Sequence, residues 1–172
     1  PGIAEAAGVI ITGDLTNHGN TAAAKRVLGA VARHNPRVLA QVGNMDTQAV
    51  AAHLEDEGAD IHAKGVNLIP GSEEKIIGIM GVGWSTPTPF GTPSEASEEQ
   101  IAQWLKDAHQ QVADYAHLVL VAHDPPRNTR CDRLGSGEHV GSTAVRAFIE
   151  RVQPELCQIG RASCRERVCH RV

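Results

Sequence analysis

Aromatic residues make up only 3% of this 172-residue chain, so any core has to be built from Val, Ile, Leu and Ala, which suits a buried parallel sheet covered by helices. No apolar run reaches the roughly 18 residues needed to span a bilayer, and the N-terminus lacks a basic region followed by an apolar segment. No export or membrane signal is visible, and a cytoplasmic location is expected. Positive charge is not in excess: 16 Lys and Arg stand against 20 Asp and Glu, a net of −4, which argues against a nucleic-acid binder working through a basic face. The four cysteines follow no metal-ligand spacing and are too few for a disulfide scaffold. There are no internal repeats. A glycine-rich phosphate fingerprint between strand and helix is also missing, which disfavours a generic nucleotide-binding α/β domain.

What is present centres on Val9 to Gly19, VIITGDLTNHG, an apolar run that stops at Gly13 and presents Asp14. Such a run reads as a buried parallel strand, whose C-terminal end is where open α/β sheets place their ligands. Length and 41% hydrophobic content suit one packed α/β domain. Thr21 to His34 carries Ala24, Val27, Leu28 and Val31 at helical spacing, stopped by Asn35-Pro36. Arg37 to Gly43 predicts a second strand ending at GNMD, and Thr47 to Glu57 a helix behind Thr47 or Asp46 as N-cap. Two short strands are expected over Asp60 to Gly65 and Val66 to Ile69, around Pro70-Gly71, then a longer one over Lys75 to Gly83. Trp84 to Glu95, dense in Pro, Thr and Gly, reads as a surface loop overhanging the strand ends. An amphipathic helix begins after Ser97, with Ser97 and Gln100 as a capping box. A strand over His117 to Ala122 runs into His123-Asp124-Pro125-Pro126, and a glycine-rich loop spans Asn128 to Gly141. A helix from Ser142 or Thr143 through Val152 and a last strand from Glu155 to Ile159 complete the pattern.

Three strand ends carry metal-capable side chains: Asp14, Asn44 and His123. A carboxylate, an amide oxygen and an imidazole form a hard-to-borderline donor set, suited to manganese, iron, zinc or magnesium rather than to a thiolate-loving ion. In this order, GDLTNHG, GNMD and VAHDPP resemble the second, third and fourth motifs of the calcineurin-like metallophosphoesterases. The loops GWSTPTPFGTPSEASEEQI and HDPPRNTRCDRLGSGEHVGS resemble a phosphoesterase subgroup related to the cyclic-nucleotide phosphodiesterase-like proteins of bacteria and archaea. The resemblance spans Val9 to about Gly160. It implies a four-layer α/β/β/α sandwich of the metallophosphoesterase type and a pair of divalent metal ions. Asp14 would bridge the two ions, and Asn44 and His123 would bind the second. Two cations about 4 Å apart would hold a bridging hydroxide for in-line attack on a small-molecule phosphoester.

The chain also departs from the family pattern. Where many members carry a His that helps protonate the leaving group, Met45 stands here, and it has no proton to give. Asp46 is then the candidate catalytic carboxylate, as an orienting or helix-capping group rather than a proton donor. The family's first motif, Asp-x-His, is expected before Pro1. Its last, Gly-His-x-His, is expected where Ile159-Gly160 meets Arg161. The fold is therefore expected to be incomplete at both termini, the first-metal site to be incomplete, and the 172-residue chain to be inactive by itself. Ile159 to Val168, IGRASCRERV, resembles a sequencing adapter translated in one frame. Residues 1–160 accordingly read as a metallophosphoesterase domain fragment and residues 161–172 as a non-native tail. With four Arg and one Glu that tail carries +3, leaving −7 on Pro1 to Gly160.

His139, in GSGEHVGS, lies in a loop able to reach over the metals and is the candidate substrate contact. Arg127 and Arg130 could meet phosphate. His34, His53, His62, His109 and His117 read as structural or solvated, and His18 has no motif role. Metal-dependent hydrolysis of a phosphodiester or phosphomonoester is the leading expectation, tilted by Met45 toward diesters with acidic leaving groups. The alternative is a non-catalytic interaction module on the same fold, against which the intact Asp14, Asn44 and His123 argue. No nucleic-acid or membrane partner is expected, and the oligomeric state is open.

Overall fold

The computed structural model describes residues 2–69 and 71–161, with the backbone of residues 168–169. After a single 3-10 turn at Ile3–Glu5, the order is β1 (Val9–Ile11), α1 (Thr21–Ala32), β2 (Val38–Ala40), α2 (Gln48–Asp56), β3 (Lys64–Asn67) and β4 (Ile77–Val82). It continues with α3 (Glu98–Gln110), β5 (His117–Ala122), α4 (Thr143–Val152), β6 (Leu156–Ile159) and β7 (Val168–Cys169). β1 and β2 pair in parallel as one small sheet. The second sheet has the order β3-β4-β5-β6-β7, with β4, β5 and β6 parallel and the edge strands β3 and β7 antiparallel.

Alternation of side chains along the strands produces the layers, because successive residues of a strand face opposite sides of its sheet. On β1 and β2, Ile11, Val38 and Ala40 face α1 and α2, packing with Ala24, Leu28, Val50 and Leu54. Ile10 and Leu39 face the other way, onto the second sheet, where Ile79 and Val121 receive them in a small inner core with Ile61. On that sheet, Met80, Val82, Leu120, Ala122, Cys157 and Ile159 point outward into the core shared with α3 and α4. The result is helices, sheet, sheet, helices: the four-layer α/β/β/α sandwich expected from the motifs.

Local signals explain most element ends. Ser97 and Ser142 accept hydrogen bonds from the N–H groups of Gln100 and Val145 and so cap α3 and α4. α4 ends in a left-handed Gln153 (φ 55°), directly before Pro154. At α2 the N-cap is Thr47, one of the two candidates, though its hydroxyl makes no capping bond and donates instead to the carbonyl of Gly19 at 2.8 Å. One expectation needs correction. The two short strands expected over 60–69 are one, β3, preceded by isolated bridges at Asp60 and His62, because the segment has to run antiparallel to β4. Pro70 and the side chains of residues 162–172 lie outside the described residues. Among the described residues no helix is long and apolar enough to cross a membrane.

Candidate metal centre

The C-terminal ends of β1, β2 and β5 meet at one rim, and the chain just beyond each is bent to fit. Gly13 (φ 102°) and Asp14 (φ 54°) are both left-handed, so the chain reverses immediately after β1 and turns the Asp14 carboxylate over the end of β2. A Cβ at Gly43 would collide with Asp14 Oδ1 and His123 Cε1, so only glycine admits those side chains. Gly160, at the end of β6, packs as closely against Thr12 and His123.

Hydrogen bonds assign the atoms that face one another. His123 is buried, and its Nδ1 lies 2.9 Å from the carbonyl oxygen of Thr12, which can only accept, so Nδ1 carries the proton. Nε2 points inward, 3.1 Å from Asn44 Oδ1 and 3.5 Å from Asp14 Oδ1, and in a neutral ring with its proton on Nδ1 it presents a lone pair to both oxygens. Asn44 cannot turn its amide around without loss. Its Nδ2 donates to Thr92 Oγ1 at 3.1 Å, and the Thr92 hydroxyl donates in turn to Glu95 Oε1 at 2.6 Å. Three lone-pair atoms thus converge, and lone pairs at such distances repel unless a cation or an added proton lies among them. The donors, one carboxylate, one amide oxygen and one imidazole, fit a divalent ion. Among the described residues no group of three His, Cys, Asp or Glu side chains comes together as a metal site. The centre reaches three donors only by counting the Asn44 amide.

Asp46 is completely buried and serves as a clasp. Its Oδ2 accepts from the N–H groups of Leu15 (3.1 Å) and Gly43 (2.9 Å), and its Oδ1 from the Thr16 N–H (2.7 Å) and hydroxyl (2.9 Å). Those four donors tie the loop after β1 to the loop after β2. Met45 N–H donates to Asp14 Oδ1 at 2.9 Å, adding a direct link between the loops. The Met45 carbonyl also accepts from the N–H of His18 at 2.9 Å, which brings the exposed His18 beside the centre.

The loop over 84–95 packs against this rim as expected, Ser94 bonding the backbone of both Asn44 and Asp46. Burial pushes the Glu95 carboxyl up, but hydrogen bonds from Thr88 and Thr92 outweigh it and bring the group down to about 2, so it stays ionised and keeps Thr92 oriented. Behind the rim, Asp124 accepts from the Thr86 N–H and hydroxyl and from the Arg161 guanidinium. Burial nevertheless holds its carboxyl above the ordinary range.

A cavity of about 320 Å³ adjoins this wall, lined by Thr86, Pro87, Arg127, His139, Gly141 and Arg161 among others. His139 is not drawn in among Asp14, Asn44 and His123. It lines this neighbouring cavity, with Nδ1 2.7 Å from Oδ1 of the fully buried Asp132. Arg127 lines the same cavity, its guanidinium reaching the Gly141 carbonyl. Sequence reasoning did not single out Thr92, Glu95 or Asp132. Thr92 and Glu95 sit in a Pro- and Thr-rich loop whose folding back onto Asn44 leaves no periodic trace, and Asp132 in CDRLGSG reads as one more polar loop residue.

Comparison with known proteins agrees with this architecture. A family model described as calcineurin-like phosphoesterase matches residues 4–160. An uncharacterized protein of Methanocaldococcus jannaschii is 32% identical over 144 residues, covering 83% of this chain and 62% of the relative, so the chain spans less than two thirds of that protein. The crystal structure of TT1561 from Thermus thermophilus superposes with a TM-score of 0.62 at 19% identity, covering 88% of this chain and 67% of that one. A second solved structure gives a TM-score of 0.58 at 18% identity, covering 83% of this chain and 57% of that one. At those identities the structures speak for the fold alone. With the family model taking in the strand ends that carry Asp14, Asn44 and His123, the chain belongs to the calcineurin-like phosphoesterase family.

Proposed function

We propose that the protein is a metal-dependent phosphoesterase that hydrolyses a small-molecule phosphodiester or phosphomonoester. The observation that carries this reading is the convergence of Asp14 Oδ1, Asn44 Oδ1 and His123 Nε2, with both oxygens held 3.1–3.5 Å from the ring nitrogen. A pure interaction module would have no use for that set of donors. These residues would hold one divalent ion, and Asp14 Oδ2, which has no hydrogen-bond partner among the described residues, remains available to a second. When bound, divalent ions in such a site neutralise phosphoryl oxygens and make a nearby water acidic enough to attack at neutral pH.

The rest falls to the chain itself. Thr12 fixes the tautomer of His123, Thr92 and Glu95 fix the direction of the Asn44 amide, and Asp46 holds the two loops in register. The test is hydrolysis of nitrophenyl diester and monoester substrates by the full-length protein with added manganese. Turnover that disappears with chelation and returns with metal is expected, with the diester the better substrate. Absence of metal-dependent turnover on both would refute the reading.

A further inference from the structure

We propose that His139, oriented by Asp132, is the general acid that protonates the leaving group. This rests on the phosphoesterase reading above and adds to it a proton donor for the leaving group. Met45, beside Asn44, carries no transferable proton, His123 is committed to Thr12 and the centre, and Asp46 has all its acceptor sites filled by donors.

His139 has the features an acid needs. Its Nδ1 is held at 2.7 Å by Asp132, while Nε2 has no partner among the described residues and the ring lines the cavity next to the centre. Asp132 is itself fixed: it is fully buried and accepts from the N–H groups of Asn128 (3.0 Å), Thr129 (2.8 Å) and Gly141 (3.1 Å). Burial pushes its carboxyl up, but these bonds and the imidazole outweigh that and hold it below the usual range, so an anion stands behind the ring. The cavity shares a wall with the centre: Thr86, on its lining, donates through its N–H and hydroxyl to Asp124, the residue that follows His123. The charged groups sharing the cavity with His139 are Arg127, Arg161, Glu98 and Glu138.

In the proposed step a water oxygen bonds to phosphorus and its proton leaves to solvent. The bond from phosphorus to the leaving-group oxygen breaks with its electron pair remaining on that oxygen, and the His139 Nε2 proton moves to it. His139 ends neutral and is reprotonated by solvent. Asp132 acts through His139 and is a positioning residue.

Two measurements test this. The first compares the full-length, manganese-loaded protein with its His139→Asn variant on a nitrophenyl diester, whose leaving group departs unaided, and on the matching alkyl diester, whose leaving group needs a proton. General acid catalysis contributes about 10²–10⁴-fold, so a loss of about 100-fold or more on the alkyl ester with at most a few-fold on the nitrophenyl ester is expected. Equal losses on the two esters, no loss on either, or a selective loss in His18→Asn instead would overturn the proposal. If the unmodified protein hydrolyses neither ester, the phosphoesterase reading itself fails and takes this proposal with it. The second measurement is the tautomer of the neutral His139 ring by nitrogen NMR. Asp132 imposes Nδ1–H with a bare Nε2, whereas an unconstrained ring showing Nε2–H would overturn the assignment of Asp132.

Discussion

Replacing Asp46 separates the clasp from the chemistry. Its two oxygens receive three backbone N–H groups, from Leu15, Thr16 and Gly43, and the Thr16 hydroxyl. Asp46→Ala strands those amides, and an unsatisfied buried donor costs about 1–3 kcal/mol. Thr16 is partly exposed and recovers some of its loss from water, so the total should fall at about 3–6 kcal/mol. That is a large share of the roughly 5–15 kcal/mol that keeps an ordinary domain folded. Asp46→Asn retains one oxygen, able to keep two of the four bonds, and should cost about 1–3 kcal/mol. Urea denaturation checks both values, with the slope unchanged so that the midpoint shift reports stability. Hydrogen exchange adds a local reading: the amides of Leu15 and Gly43 should lose protection in the variants before the strands do. If Asp46→Ala stays within about 1 kcal/mol of the parent and those amides remain protected, the two loops are held together by something other than this carboxylate.

Burial among Trp84, Trp104 and neighbouring groups lowers His62 to about 4. Below pH 6.5 the unfolded chain takes up a proton that the folded one refuses, so stability present above pH 6.5 should fall by about 3 kcal/mol as pH drops toward 4. His62→Gln, which can still accept from the Gly83 N–H, should flatten that segment of a pH–stability curve, and an unchanged slope would contradict the burial argument. Gly43→Ala should weaken manganese binding by about tenfold or more in calorimetry, since its methyl group occupies the space between Asp14 and His123. The matched control is Gly29→Ala in α1, where a Cβ meets nothing, which should leave metal binding alone and raise stability by about 0.5–1 kcal/mol.

Asp14, Asn44 and His123 are legible in the sequence because each stands just beyond an apolar run, and strand ends are where such sheets collect function. The four layers follow from the same runs, once alternation along Ile10-Ile11 and Val38-Leu39-Ala40 assigns each residue to a face. What the sequence conceals is the set of groups that orient these three side chains. Thr92 reaches Asn44 across 48 positions of chain, and Asp46 meets Leu15 across 31. Such bonds depend on how loops close over the finished sheets, and no local period announces them. The antiparallel course of β3 is hidden for a related reason: Lys64–Asn67 is too short and too mixed in polarity to declare its direction until β4 supplies a partner.

The centre also straddles a seam. Asp14 and Asn44 follow strands of the small sheet and His123 a strand of the large one, and the inner core between the sheets contains only three fully buried apolar side chains, Ile61, Ile79 and Val121, among the described residues. Mechanically, the rim is a joint fastened at its lip and thinly filled behind. A cation gripped by all three side chains would act there as a rivet, so sliding of one sheet past the other and escape of the ion become a single event. By linkage, tightness of metal binding and resistance of the two sheets to shear would then be one quantity measured from two directions.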